Sequence, residues 1–172
     1  MNIFSLDVSA SSTGWAFTGN GKEFEFGTIV TKAKNTRAER LVLFAEQLQN
    51  LLQTFHPDLI VIEDTFSGIN VKTMKMLCEF AGVAKYVCKH IIGIEPYVIS
   101  NSTVKSFFSV AKKEQLFYFV AEILEIKDLT FKKHNDIIDA IAQLMCFSQD
   151  ISNTFVFRME KEYGYLYTNT TK

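Results

Sequence analysis

Acidic side chains stand at four places in this sequence where the neighbouring residues are mostly apolar. Asp7 lies inside the alternating run NIFSLDVS, and Glu63 ends the apolar run LIVI. Asp136 and Asp139 lie in NDIIDAIAQLMCF, three residues apart and therefore on one face of a helix. An ionised carboxylate among apolar side chains costs free energy unless it is paired or bound to a cation. The four acids are therefore candidates for one shared site.

Each acid also has an ordinary structural explanation when it is taken alone. Asp7 could cap the turn formed by the following SASS, and Glu63 could face solvent at the end of its strand. Asp136, placed in the first turn of a helix, would interact favourably with the helix dipole. Asp139 could pair with one of the two lysines that precede it. Only a cluster that holds positive charge explains all four acids at once.

The hydrophobic pattern predicts the elements that would bring the acids together. The pattern predicts five strands, at 2–9, 13–18, 23–30, 59–62 and 96–100. The first three are predicted to form an antiparallel meander that includes the turn Gly19-Asn20-Gly21. Helical periodicity predicts four longer helices: 36–55, 70–92, 113–124 and 135–147. Ser102 is predicted to cap a further short helix.

The element order βββαβαβα, with additional helices, indicates an α/β protein. An antiparallel meander followed by strands joined through helical crossovers predicts a mixed five-stranded sheet with helices on both faces, a ribonuclease H-like fold. If the first and fourth strands are neighbours, Asp7 and Glu63 end side by side. A helix packed across the sheet then brings Asp136 and Asp139 to the same place.

Four converging carboxylates favour hard divalent cations with oxygen ligands, because their mutual repulsion requires a counter-charge. Two Mg²⁺ ions about 3.5–4 Å apart, with Mn²⁺ as a substitute, can activate a water and stabilise the leaving oxygen in phosphodiester hydrolysis. The three histidines, His56, His90 and His134, are not spaced as zinc ligands. The acids therefore predict a metal-dependent nuclease.

The lysines are unevenly distributed although the formal net charge is only −1. Residues 72–113 hold seven lysines against two glutamates: Lys72, Lys75, Lys85, Lys89, Lys105, Lys112 and Lys113 against Glu79 and Glu95. A basic segment between acidic flanks favours a surface that binds a polyanion such as a nucleic-acid backbone. The alternative is that these lysines only solvate helix faces.

One domain accounts for most of the chain. The 172 residues, 48% of them hydrophobic, can bury one sizeable core, and we place this domain at residues 1–150. Residues 151–172 form a C-terminal extension that alternates around Lys161–Gly164 and predicts a β-hairpin.

The cysteines and the apolar runs predict a cytoplasmic protein. Cys78, Cys88 and Cys146 lack CxxC spacing and are predicted to be reduced core residues. No basic region precedes an apolar stretch at the start of the chain, so we expect no signal peptide. No apolar run approaches the roughly 20 residues that a membrane span needs.

The motifs, in order over residues 3–147, resemble the RuvC family of Holliday junction resolvases, which are crossover junction endodeoxyribonucleases. The run DVSASSTGWA (7–16) resembles the family's D-x-G-x-x-x-T-G-[YW]-[GA], with Ser9 in place of the first glycine. The runs PDLIVIE (57–63) and DIIDA (136–140) resemble its P-D-x-x-[AV]-I-E and D-x-x-D-A motifs. Two shorter matches are Gly82-Val83-Ala84 in the long helix and Val104-Lys105 after the fifth strand.

The resemblance implies roles for particular residues. Asp7, Glu63, Asp136 and Asp139 would bind two metal ions, and Lys105 and a second lysine, Lys113 or Lys112, would face the scissile phosphate. Phe66, three residues after Glu63, would stack on an unpaired base at the crossover, although it could equally be a loop aromatic packed on the core. The residues implied to contact DNA are Phe66, Lys72, Lys105, Lys112 and Lys113.

The resemblance also implies a substrate and an assembly. The substrate would be a four-way junction, cut by paired symmetric nicks, and the enzyme would be a homodimer that matches the two-fold symmetry of that junction. Residues 70–92 would form the dimer helix, although their apolar stripe could equally belong to the core. The compact, divergent form is compatible with a virus- or phage-encoded member that acts in the host cytoplasm.

Three other interpretations of the sequence are open. DVSASSTGWA loosely resembles the phosphate loop of actin-like and sugar-kinase ATPases, but those proteins need two such domains. A flap, branched-DNA or RNA-processing nuclease of the same fold would carry the same acids, because substrate choice lies in loops. A junction-binding protein without cleavage activity is the third, and the presence of all four acids argues against it.

Overall fold

Five strands form one mixed sheet: β1 (Ile3–Asp7), β2 (Ser12–Thr18), β3 (Glu25–Val30), β4 (Leu59–Glu63) and β5 (Tyr97–Ile99). They lie in the order β3-β2-β1-β4-β5. β1, β2 and β3 are antiparallel neighbours, whereas β4 runs parallel to both β1 and β5. The predicted meander, the pairing of the first and fourth strands and the ribonuclease H-like fold are confirmed.

The structure is a computed structural model that describes residues 1–19, 24–64, 70–125 and 129–151, with side chains to Ser148. Residues 20–23 of the predicted first turn lie outside these ranges. So do Phe66 and nearly all of the predicted C-terminal hairpin. None of the described helices is long and apolar enough to cross a membrane.

Five α-helices cover the sheet: α1 (Arg37–Phe55), α2 (Val71–Val87), α3 (Asn101–Phe107), α4 (Lys113–Ile123) and α5 (Phe131–Ile151). Helix α2 continues into a π-helical turn over Cys88–Ile92, so the helix predicted over 70–92 is present with a changed geometry in its last turn. Helix α1 begins at a capping box in which Thr36 accepts from the Glu39 amide and the Glu39 carboxylate accepts from the Thr36 amide.

Strand alternation sorts the residues of β1 between two hydrophobic layers. Phe4, Leu6 and Val8 pack with α1 and α2 on one face of the sheet. Ile3 packs on the other face with α4 and α5. Because Ser5 and Asp7 follow Ile3 at intervals of two, they face the α5 layer. The acid at the end of β1 is therefore directed at the helix that carries the last two acids.

Helix α5 is fixed to the sheet at two backbone positions. The Ser5 hydroxyl donates to the Ala140 carbonyl at 2.6 Å. At Gly14 of β2, a Cβ atom would overlap the backbone carbonyl of Asp136 and lie 2.9 Å from the Ile137 nitrogen. The absence of a side chain at Gly14 thus lets the backbone of α5 touch the strand directly.

Three local predictions were wrong. Helix α5 begins at Phe131 rather than Asn135, because Thr130 accepts from the His134 backbone and donates to the His134 ring, which starts the helix a turn earlier. The short helix is capped by Ser100, which accepts from the Thr103 amide at 3.1 Å, and not by Ser102. Cys88 and Cys146 are buried as predicted, whereas Cys78 is exposed; none of the three forms a disulfide.

Candidate active site

The first two acids end neighbouring parallel strands. Leu6 of β1 pairs with Ile62 of β4, so the next residues, Asp7 and Glu63, emerge at the same edge of the sheet. Both side chains are partly buried. Val61 belongs to the α5 layer, and Glu63, two residues later on the same strand, faces that layer too. Two carboxylates thus meet under helix α5.

Helix α5 supplies the other two acids from one face. Asp139 is only 3% exposed, and Asp136, one turn earlier, is partly exposed and accepts a hydrogen bond of 2.8 Å from the Asn135 side chain. Asp136 lies in the second turn of α5 because the helix begins at Phe131, so the helix dipole accounts for less of its placement than predicted. Asp7 pairs with Gly14 across β1 and β2. The contact of Gly14 with the Asp136 backbone therefore determines how far this end of α5 lies from Asp7.

The acids interact strongly enough to change their own ionisation. Burial raises the pKa of Asp7 well above its usual range, and repulsion from Glu63 and Asp139 raises it further. Burial likewise raises the pKa of Asp139 to about 6, with Glu63 and Asp136 adding to the increase. Asp7, Glu63, Asp136 and Asp139 therefore form one electrostatic cluster.

A lysine from helix α4 enters the cluster. Lys113, the first residue of α4, forms an ion pair with the Oδ2 atom of Asp139, and it is itself half-buried. Burial lowers the pKa of Lys113, but the carboxylates of Asp139 and Asp7 outweigh it and raise that pKa above its ordinary value. Lys113 is thus a fixed positive charge among the acids. Its neighbour Lys112 is exposed, which makes Lys113 the lysine of this cluster.

Two amide side chains that the sequence analysis missed hold Glu63. Asn101 donates to Oε1 of Glu63 at 2.9 Å, and Gln143 donates to Oε2 at 2.8 Å. A signal for both was present in the sequence. Asn101 directly follows the strand next to β4, and Gln143 stands one helical turn after Asp139 in an otherwise apolar run.

The donor set fits divalent cations of the Mg²⁺ and Mn²⁺ type. The cluster offers carboxylate oxygens, and the Oε1 atom of Gln143 is buried with no hydrogen-bond donor among the described residues. As they stand, no three acidic, histidine or cysteine side chains in the described ranges enclose a single ion. A metal ion held by Asp139 would have to displace the Lys113 ammonium that pairs with it. The residues fit the ions by their chemistry, with side-chain rotation.

The remaining predicted site residues lie around the cluster. Lys105 is partly buried on α3, four residues after Asn101 and therefore on the helix face that Asn101 turns toward Glu63. Lys72 lies exposed in the first turn of α2. Within the described ranges, Lys72, Lys105 and Lys112 form no ion pair. The predicted base-stacking residue, Phe66, lies outside the described ranges.

We expect the protein in a chelating buffer to become less stable as the pH rises from about 4 to about 7. Asp7 and Asp139 have raised pKa values when folded, so the folded state binds more protons than the unfolded chain and the free energy of unfolding falls with pH. For Asp139, with a pKa of about 6, the loss is on the order of 3 kcal/mol. Urea unfolding across this pH range measures it.

The Asp139→Asn variant is the control for this pH dependence, because it removes one titrating group and should flatten the profile. A variant whose stability changes with pH as steeply as that of the wild type would contradict the raised pKa of Asp139. Adding Mn²⁺ should restore stability at neutral pH more than at acidic pH, since only ionised acids bind the ion.

Most of the chain is similar to known proteins. Residues 3–147 match the family model of the crossover junction endodeoxyribonuclease RuvC. The RuvC proteins of Ehrlichia canis (strain Jake) and Ehrlichia ruminantium (strain Welgevonden) are 30% and 33% identical over 159 and 156 residues. These alignments cover 89% and 85% of this chain and 99% and 95% of the relatives.

The structure of T. thermophilus RuvC in complex with a Holliday junction substrate superposes with a TM-score of 0.72 at 17% identity, over 92% of this chain and 96% of that one. The structural likeness shows a shared fold.

Proposed function

Because the chain belongs to the RuvC family of crossover junction endodeoxyribonucleases, we propose that it resolves four-way DNA junctions by paired symmetric nicks. The main support is the convergence of four acids at the ends of β1 and β4, on the face of the sheet that α5 covers. These acids are Asp7, Glu63, Asp136 and Asp139. We place the activity in the cytoplasm, which for a virus-encoded member is that of the host. Residues 1–150 would be the nuclease domain and 151–172 a C-terminal extension.

The four acids would hold two Mg²⁺ ions, for which Mn²⁺ would substitute. Bound there, the ions would activate the attacking water and stabilise the leaving oxygen of the phosphodiester. Glu63 would be oriented for this task by two neutral donors, which add no positive charge beside it. Lys113 neutralises Asp139 until that pair opens, and its ammonium then becomes available to the developing charge on the scissile phosphate.

The lysines beside the acids would bind the phosphates of the DNA backbone. Lys105 lies on the helix face next to Glu63, and Lys72 and Lys112 are exposed. Positive side chains at these places would bind phosphates without reading sequence. Phe66, which follows Glu63 by three residues, is proposed to stack on an unpaired base at the crossover.

A second copy of the chain would pack on the outer face of α2. This face carries a row of exposed residues at helical spacing: Val71, Met74, Cys78, Gly82 and Tyr86. Val71 and Tyr86 are 68% and 61% exposed. No described atom lies within 4 Å of the position that a Cβ would take at Gly82, so packing within the subunit does not require this glycine. Close approach of a partner helix would explain both the apolar row and the glycine.

We expect Gly82→Glu to convert a dimer into monomers without unfolding the subunit. The open space at Gly82 accommodates the side chain within one subunit, whereas a two-fold interface would bring two glutamates together. Sedimentation velocity measures the change. Gln53→Glu, which adds the same charge to the exposed surface of α1, should remain dimeric. A wild-type monomer, or a Gly82→Glu dimer as stable as the wild type, would rule out this face as the interface.

The proposed activity is tested by incubating the protein with Mg²⁺ or Mn²⁺ and labelled DNA of several shapes. Four-way junctions should be cut at symmetric positions, and linear duplexes of the same sequence should stay intact. Equal cutting of the linear duplex would refute junction selectivity, and preferred cutting of flaps or RNA would favour another nuclease of this fold. Binding of junctions without any cutting would identify a junction-binding protein instead.

A further inference from the structure

Glu63 differs from Asp139 in the kind of partner that holds it. Asp139 contacts the ammonium of Lys113, which supplies a positive charge. Glu63 accepts from two primary amides, one on each carboxylate oxygen, at 2.9 and 2.8 Å. An amide donor fixes the plane of a carboxylate but brings no charge that a cation would have to displace. The two partners therefore orient Glu63 without placing a positive charge on it.

The backbone delivers Asn101 to this position. Ile99 of β5 pairs with Glu63 of β4, and the Asp64 amide donates to the Ile99 carbonyl at 2.8 Å. Ser100 then caps α3, so Asn101 becomes the first helical residue beside the Glu63 carboxylate. The cap of α3 is Ser100, so the Asn101 side chain is not needed to start the helix.

Gln143 occupies a position where the core alone would favour an apolar residue. It is 1% exposed and lies between buried Ala142 and Leu144 on α5. Its Nε2 group donates to Glu63, whereas its Oε1 atom is buried without a donor among the described residues. A buried polar atom left without a partner costs about 1–3 kcal/mol. The hydrogen bond to Glu63 is the contact that an apolar side chain of equal size would not provide.

We propose that Asn101 and Gln143 are positioning residues that hold the Glu63 carboxylate in the orientation needed to bind a divalent cation. The inference rests on the proposed function, because it assumes that Glu63 is a metal ligand. Partners of a metal ligand fix its orientation, and their loss costs about 10- to 100-fold in affinity or activity. Mg²⁺ demands near-ideal octahedral geometry, so its binding should suffer most when the carboxylate is free to rotate.

The first test compares metal affinity with stability in Gln143→Met. Calorimetric titration with Mn²⁺, in the absence of DNA, should give an affinity about 10- to 100-fold below that of the wild type. Cleavage supported by Mg²⁺ should fall more than cleavage supported by Mn²⁺. The melting temperature in chelating buffer should change little, because methionine fills a similar volume and removes the unpaired Oε1 atom, while Glu63 loses one of its two amide donors.

The Mn²⁺ affinity of the folded variant separates positioning from packing. A residue with only a packing role would lower the melting temperature and leave the Mn²⁺ affinity unchanged once folded. Leu144→Met, at the adjacent buried position, is the control and should keep wild-type affinity for both ions. Asn101→Ala, at a partly exposed position outside the core, provides an independent variant should Gln143→Met fail to fold.

The second test asks whether the effect acts through Glu63. In a Glu63→Gln background, adding Gln143→Met or Asn101→Ala should cause no further loss of Mn²⁺ affinity, because the carboxylate that they orient is already gone. Equal losses in both backgrounds would overturn the inference, as would wild-type Mn²⁺ affinity in both single variants. If Glu63→Gln itself retained wild-type affinity and cleavage, the proposed function of the acid cluster would fail instead.

Discussion

Asp7→Asn is expected to reduce junction cleavage by at least about 10³-fold, which corresponds to about 4 kcal/mol of lost transition-state stabilisation. The Asp7 carboxyl interacts with Glu63, Asp139 and Lys113, so it lies at the centre of the cluster. Asparagine has nearly the same shape, which preserves the strand and the packing of α5. It removes the negative charge that a metal ion requires. Single-turnover cleavage of a labelled junction measures the loss.

Junction binding should survive this substitution. Removing a carboxylate beside the proposed phosphate path lowers repulsion of the DNA, so the affinity measured in a Ca²⁺ buffer should equal or exceed that of the wild type. The variant should also be more stable than the wild type at neutral pH in chelating buffer, since the raised pKa of Asp7 makes its ionised form unfavourable. Asp64→Asn, which removes an exposed carboxylate next to Glu63, is the control and should cut normally. Normal cutting by Asp7→Asn would exclude the metal-binding assignment.

Gly14→Ala is expected to reduce cleavage by about 100-fold without replacing any acid. The added methyl group would overlap the Asp136 carbonyl and lie 2.9 Å from the Ile137 nitrogen, and neither backbone group can rotate away as a side chain could. Helix α5 must therefore shift, which moves Asp136 and Asp139 relative to Asp7. Displacement of about 1 Å at a catalytic site can cost about 100-fold in rate, and the overpacking should cost about 1–3 kcal/mol of stability.

Gly19→Ala is the matched control for this substitution. Among the described residues, the atoms nearest to its Cβ would be side-chain atoms of Asn2 and Phe17 at 3.5–3.8 Å, which is ordinary van der Waals contact. Urea unfolding and cleavage rates measured on both variants separate the general effect of replacing a glycine from the displacement of α5. Wild-type cleavage by Gly14→Ala would show that the helix position does not control the acids.

The sequence was sufficient to place the acids because short-range periodicity and strand order determine their positions. Asp7 and Glu63 end neighbouring parallel strands, and Asp136 and Asp139 share a helical face; both relations follow from spacing. The ion pair of Lys113 with Asp139 depends on how α4 packs against α5. No local pattern encodes that packing, so the sequence favoured Lys113 as the second lysine but left Lys112 open.

The amides and the glycine were missed for different reasons. Neutral side chains such as Asn101 and Gln143 produce no charge pattern, and their role appears only when both are seen against the two oxygens of Glu63. Gly14 belonged to a recognised motif, but its physical reason is a contact with a helix that lies more than 100 residues away in the sequence. The start of α5 was placed too late because a histidine ring takes part in the first turn.

The alternation of β1 allows cutting and subunit assembly to vary separately in evolution. Phe4, Leu6 and Val8 support the α1–α2 layer, on which the proposed partner packs, while Ser5 and Asp7 serve the α5 layer. Adjacent residues of one strand are thus under selection for different properties. Substitutions at Phe4, Leu6 or Val8 would alter the layer beneath the proposed interface and leave Ser5 and Asp7 facing α5. The same separation would let a protein engineer alter the proposed dimer without redesigning the proposed metal site.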